Sequence, residues 1–209
     1  MSYHPDNMGA HAQAWVETAR SLGVALAAET VQREFAGRRN DELFPRVLGR
    51  PVAADELARL AEAKEALYRA LYRPHLRPLA GTEALLDALR ARGVRCAVAS
   101  AAPTANRAFV LDGLGWWGRF DAVVGAEEVA RGKPFPDLFL RAAERVGVEP
   151  AACLVFEDAT LGVQAARAAG MRACGVTTAE PAAVLLAAGA FACAPDFTAL
   201  PEAVRALLT

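Results

Sequence analysis

The chain has 209 residues, 54% hydrophobic and 22% charged, enough to bury one substantial core with a smaller domain attached. Its net charge of −1, with no Lys/Arg run longer than Arg38-Arg39, offers no attraction to nucleic acid or an anionic membrane surface, and both are set aside as partners. The N-terminus has no basic segment leading into an apolar one, and no apolar run approaches the roughly 18 residues of a membrane span, so a cytoplasmic location is expected.

Over residues 7–76 apolar positions such as Ala14, Trp15, Thr18 and Leu22, then Leu57, Leu60, Ala63, Leu67 and Leu71, recur at three- and four-residue spacing. This predicts a small helical domain without strands. The pattern changes near Arg77-Pro78-Leu79-Ala80-Gly81, and residues 77–209 alternate helix with short apolar strand. Helices are predicted near 82–92, 104–114, 136–146, 160–169 and 198–208, and strands at 94–99, 120–124, 153–156 and 173–176, with a further apolar run at 191–194. Strands apolar on both faces and separated by helices imply an α/β fold with a parallel sheet covered on both sides. In such sheets ligands sit beyond the carboxyl ends of the strands.

Cys96, Cys153, Cys174 and Cys193 are far apart and lie in short apolar runs, which suits buried thiols better than disulfides or a zinc site. Trp15, Trp116 and Trp117 are expected in the core. Of the basic residues 21 are arginine, and only Lys64 and Lys133 are lysine. A chain that uses Arg for generic positive charge retains a lysine for its compact shape.

Three strand ends carry candidate chemistry. The first predicted strand runs into Ser100, and the Ser100-Ala101-Ala102-Pro103-Thr104 turn presents a hydroxyl and backbone N–H groups at a helix start. That is an anion cradle, although a plain Ser turn reads the same way. Next, Gly132-Lys133-Pro134-Phe135-Pro136-Asp137 holds Lys133 on a proline-stiffened loop, fit to meet a phosphate as a point charge or to stand solvated on the surface. The strand 153–156 runs into Glu157-Asp158, two adjacent carboxylates that repel unless a cation or a helix terminus compensates them. Mg²⁺ typically takes one or two carboxylates together with water and substrate phosphate, while an acidic helix start is the bland alternative.

A hydroxyl, a lysine and an acidic pair in that order, together with Val155-Phe156-Glu157-Asp158-Ala159, Gly162-Val163-Gln164-Ala165-Ala166 and Gly132-Lys133-Pro134, resemble the haloacid dehalogenase superfamily in its β-phosphoglucomutase-like branch. The resemblance implies a Rossmann-like parallel-sheet core with a helical cap at 7–76 and Mg²⁺-dependent transfer of a phosphoryl group, from a phosphorylated small molecule, through an aspartyl-phosphate. It assigns Ser100, Ala101 and Lys133 to the phosphoryl group, Glu157 and Asp158 to the metal, and Asn106 to a further phosphate contact. In the cap it places His11 near the reacting groups, Lys64 at the substrate, and Arg38, Arg39 and Asn40 in the substrate-facing loop. Asn40 stands where the mutase has an arginine for a second phosphate, which favours a phosphatase of small sugar phosphates over the mutase.

The resemblance also implies a first strand ending in D-x-D-G-T or D-x-D-G-V, the middle of the family's sheet, a few residues before Asp6. Met1-Ser2-Tyr3-His4-Pro5 does not match it, and Asp6 follows Pro5 with no strand to hold it. The expectation is therefore a core lacking its central strand, weakened Mg²⁺ binding, an inactive or severely impaired chain, and a monomer of marginal stability or a strand-exchanging homodimer. A non-catalytic phosphate-binding or interaction protein is the reading from a different class. A dehalogenase proper fits less well, because Glu157-Asp158 suits a magnesium-dependent phosphate enzyme.

Overall fold

The computed structural model describes residues 6–35 and 38–208, and the chain divides into two compact units between Leu76 and Arg77. The first unit holds four helices, α1 (Asp6–Ser21), α2 (Ala28–Glu34), α3 (Asn40–Leu48) and α4 (Ala54–Tyr72). They close on Trp15, Val31, Phe35, Leu43 and Phe44, with Leu57, Leu60 and Ala61 of α4 packed around that cluster. The Trp15 ring meets Phe35 edge-on at 5.2 Å and Phe44 at 4.7 Å. Aromatic rings of this size supply most of the apolar burial that a bundle of short helices needs.

The second unit alternates α5 (Thr82–Ala91), β1 (Ala97–Ser100), α6 (Thr104–Leu114), β2 (Ala122–Gly125), α7 (Asp137–Val146), β3 (Leu154–Glu157), α8 (Thr160–Ala168), β4 (Arg172–Val176), α9 (Ala182–Ala188), β5 (Ala192–Ala194) and α10 (Glu202–Arg205). Every ladder is parallel, as the alternation of elements predicts. β1 pairs with β2, and β3 with β4 and β4 with β5, in two separate sheets. Among the described residues no backbone ladder joins β1 to β3. The two sheets share a core instead: Ala99 of β1 packs against the cluster formed by Phe139, Ala143, Val155, Val163, Ala173 and Leu185, and also against Val124, Leu138 and Ala142.

Several boundaries differ from the predicted ones. β1 begins at Ala97, because the Asp121 carboxylate takes the Cys96 N–H at 2.9 Å and Asp121 N–H bonds the Cys96 carbonyl at 2.7 Å, while Val94 is exposed. The predicted final helix shrinks to α10: Asp196 accepts the Thr198 N–H (2.8 Å) and hydroxyl (2.6 Å) in a local turn, and Pro201 sets the helix start. Trp117 is exposed, its Nε1 donating to Asp112 at 2.6 Å, so it does not belong to the core. Of the four free thiols only Cys174 is fully buried. Burial pushes it up to about 11, which keeps it protonated and inert.

Candidate active site

Ser100 is the last residue of β1 and is buried, paired in register with Gly125 of β2. Its Oγ accepts the Ala102 N–H at 3.2 Å, which leaves the hydroxyl proton to be donated elsewhere. Ala101 is exposed at the turn. Asn106 is buried in the first turn of α6, its N–H bonded to the Pro103 carbonyl at 2.9 Å.

Glu157 ends β3 and is buried, and Lys133 Nζ lies 2.7 Å from its Oε2. The same ammonium stands 5.0 Å above the Phe139 ring. Lys133 is thus largely shielded and paired with a carboxylate. Burial works to raise the Glu157 carboxyl, but the Lys133 charge and hydrogen bond, with help from the Ala159 N–H, contribute to holding the group below the usual carboxylate range. The side chain of Glu157 runs across Gly162 in α8, where a Cβ would collide with its Cγ, Cδ and Oε1. A glycine there is a steric requirement of the site.

Asp158 follows outside the strand. Burial first, and then the neighbouring Glu157 charge, raise its carboxyl above the normal value. Thr178, in the loop after β4, donates to its Oδ2 at 2.8 Å. In the same loop Glu180 accepts the Thr160 N–H (3.1 Å) and hydroxyl (2.5 Å), closing the start of α8. Sequence reasoning missed Thr178 and Glu180, since neither belongs to a recognisable spacing. Among the described residues no group of three or more His, Cys, Asp or Glu is placed to hold a metal. The adjacent pair nevertheless has the donor chemistry for part of a Mg²⁺ site: a buried and a half-buried carboxylate, of which the second resists ionisation, an arrangement that a cation relieves.

In the helical unit His11, Lys64 and Asn40 meet around a carboxylate that the sequence reading did not single out. Lys64 is buried, with its Nζ 2.7 Å from Glu65 Oε1 and 3.3 Å from His11 Nδ1. Asn40 Nδ2 donates to the same Glu65 oxygen at 3.0 Å. The His11 ring stacks on Tyr68 at 3.7 Å, and Tyr68 Oη donates to Asn7 at 2.5 Å. Burial, then the Lys64 charge, bring the His11 imidazole down to about 4, so it is neutral and serves as acceptor for the ammonium. Burial also lowers Lys64, against the opposing pull of Glu65. Arg38 and Arg39 stay outside this cluster: both are exposed, Arg39 held by Asp41 at 2.9 Å and Arg38 near Glu42 at 3.8 Å. Ala36 and Gly37, and the Met1 to Pro5 segment, lie outside the described residues; Asp6 opens α1, a helix and not a strand end.

Known proteins resemble the chain in sequence and in fold. The haloacid dehalogenase-like hydrolase family matches residues 5–170. The fructose-1-phosphate phosphatase YqaB of Escherichia coli is 51% identical over 80 residues, 38% of this chain and 43% of that protein. The bifunctional riboflavin kinase/FMN phosphatase of Arabidopsis thaliana is 41% identical over 102 residues, 48% of this chain and 27% of that protein. In both cases less than half of the relative's length is matched. Among solved structures, β-phosphoglucomutase of Clostridium difficile superposes with a TM-score of 0.81 at 25% identity, over 100% of this chain and 93% of that one. A family IA hydrolase of Entamoeba histolytica reaches 0.88 at 24% identity, over 99% and 95%, and shows the shared fold. No helix among the described residues is long and apolar enough to cross a membrane. The chain belongs to the haloacid dehalogenase-like hydrolases.

Proposed function

We propose that this chain carries the phosphate-binding and metal-binding part of a Mg²⁺-dependent phosphatase of small sugar phosphates or related metabolites. The observation that carries the reading is the Lys133–Glu157 pair, 2.7 Å apart and largely buried, at the end of a parallel strand, with Asp158 beside it and Ser100 ending another strand of the same unit. Phosphatases of fructose 1-phosphate and FMN among the relatives support the reaction class.

Each residue has a task that follows from its surroundings. Ser100 donates its free proton to a phosphoryl oxygen while its Oγ is oriented by the Ala102 N–H. Lys133, tied to Glu157, supplies a fixed positive charge for the transferring group without a reorganisation cost. Glu157 and Asp158 would hold the divalent ion, with Thr178 fixing one Asp158 oxygen. When bound, Mg²⁺ neutralises charge on the phosphoryl oxygens. In the helical unit Lys64, Glu65, His11 and Asn40 form a second polar cluster, a candidate for sugar recognition in its own right. Asn40, an amide already engaged by Glu65, offers no cation for a second phosphate, which favours the phosphatase over the mutase.

Nowhere in the 209 residues do two aspartates stand two positions apart, so no D-x-D pair can supply nucleophile and acid–base partner. The polypeptide as it stands is therefore read as unable to turn over, because transfer needs a carboxylate held in line within a fraction of an ångström. The absence of a ladder between β1 and β3 among the described residues is consistent with that reading. The test is phosphate release from fructose 1-phosphate, β-glucose 1-phosphate, phosphoglycolate and FMN with Mg²⁺. It compares the 209-residue chain with one extended by an apolar strand ending in D-x-D-G-T. Activity confined to the extended chain supports the proposal, and equal activity in both overturns it.

A further inference from the structure

Arg107 is the one charged side chain buried in α6, with 5% of its surface exposed, in a chain whose arginines mostly lie at the surface. Its Nη1 donates to the Ala102 carbonyl at 2.5 Å and its Nη2 to the Thr104 hydroxyl at 3.1 Å, so it grips the turn that follows Ser100 at two points. Nη2 also pairs with Glu127, in the turn that follows β2. That turn is anchored in its own right: Glu128 accepts the Gly125 N–H at 3.2 Å and is held by Arg145 of α7 at 2.9 Å. Gly125 is the ladder partner of Ser100, and a Cβ there would meet Arg107 Nη2 and the Glu127 carboxylate, so the ends of those two side chains lie directly over the β2 backbone.

We infer that Arg107 is a positioning residue for anion binding: it fixes the 101–104 turn against β2 and α7 so that the Ser100 hydroxyl and the Ala101 amide are already aimed when a phosphoryl oxygen arrives. The inference rests on the phosphate-site reading above for the identity of the ligand. Its structural part, the preordering of the turn, stands on the hydrogen bonds alone. A guanidinium suits the task because three acceptors in different directions need a planar fork, which the ammonium of lysine does not reproduce. The charge it brings is balanced by Glu127, whose carboxyl is half exposed; burial acts to raise that carboxyl, and the Arg107 hydrogen bond and charge, together with backbone and Thr104 hydrogen bonds, bring it below its ordinary value.

The test uses the 209-residue chain with Arg107→Met and Arg107→Lys, and Val204→Ala in the fully buried position of α10 as a control for general loss of stability. Amide hydrogen exchange at Ala101, Ala102 and Thr104 is expected to speed up at least tenfold in Arg107→Met and less in Arg107→Lys, and to be unchanged relative to neighbouring helices in Val204→Ala. Binding of inorganic phosphate in the presence of Mg²⁺ is expected to weaken about tenfold in Arg107→Met and not in Val204→Ala. Exchange in Arg107→Met no faster than in the control overturns the inference, as does unchanged phosphate affinity in a turn that has been loosened. If the unmodified chain takes up no phosphate, the functional reading fails, and the exchange comparison still decides the role of Arg107.

Discussion

Replacing Gly162 with alanine sets two effects of opposite sign against each other. In a helix interior the change is worth about 1 kcal/mol in favour of the fold, and less in the first turn, where Gly162 sits. Against it stands the collision of the new Cβ with Glu157 Cγ, Cδ and Oε1, which no small shift relieves, because α8 is packed through the buried Val163, Ala165 and Ala166. Glu157 must leave its rotamer, and the 2.7 Å pair with Lys133 is lost in a site where the two side chains are only 7% and 15% exposed. Stranding a buried charge costs about 3–5 kcal/mol, somewhat less for Lys133 with its partial access to water, so the net expectation is a loss of roughly 2–3 kcal/mol. Urea unfolding of native, Gly162→Ala, Glu157→Ala and the double variant forms a cycle. In the Glu157→Ala background the collision partner is gone, and the alanine should be neutral or mildly stabilising. An equal cost in both backgrounds would refute the claim that glycine is there to seat Glu157.

Other expectations concern single side chains. His11 has its folded pKa depressed to about 4 from 6.5, so its contribution is full above pH 6.5 and is lost as pH falls from 6.5 toward 4; the difference corresponds to roughly 3 kcal/mol. Unfolding of the helical unit followed by Tyr and Trp fluorescence should be steeply pH-dependent there, and His11→Gln should flatten the slope. Glu65→Gln leaves the Lys64 ammonium, 3% exposed, without its carboxylate and should cost about 3 kcal/mol in thermal or urea unfolding. Thr178→Val removes the donor to Asp158 Oδ2, should push that carboxyl still higher, and should weaken Mg²⁺ binding by about tenfold in a competition titration with little change in melting temperature.

The order of elements, the parallel sense of the strands and the residues at their ends were legible because buried strands and loop prolines leave strong local patterns. Helix α6 follows the predicted 104–114, since a regular apolar repeat lies between Pro103 and Gly115. Helix α9, by contrast, is an alanine-rich run of seven residues without a polar face, and periodicity has nothing to register there. Glu65 and Arg107 were invisible for a different reason: each looks like an ordinary helix-surface charge until the tertiary packing buries it beside Lys64 or Ala102. Arg38 and Arg39, the most conspicuous charges in the sequence, are held by Glu42 and Asp41 on the surface.

The break between the two sheets also has a mechanical side. Hydrogen-bonded neighbours fix each other's spacing and twist, and between β1 and β3 that constraint is missing among the described residues. Ala99, Phe139 and Val155 do the joining, through side-chain packing that tolerates sliding where a ladder would not. The Ser100 end and the Glu157 end are thus set on two separate ladders held to each other by apolar side chains. A ligand that touches both ends would couple the two ladders, and the core should then stiffen as a whole, not only at the point of contact.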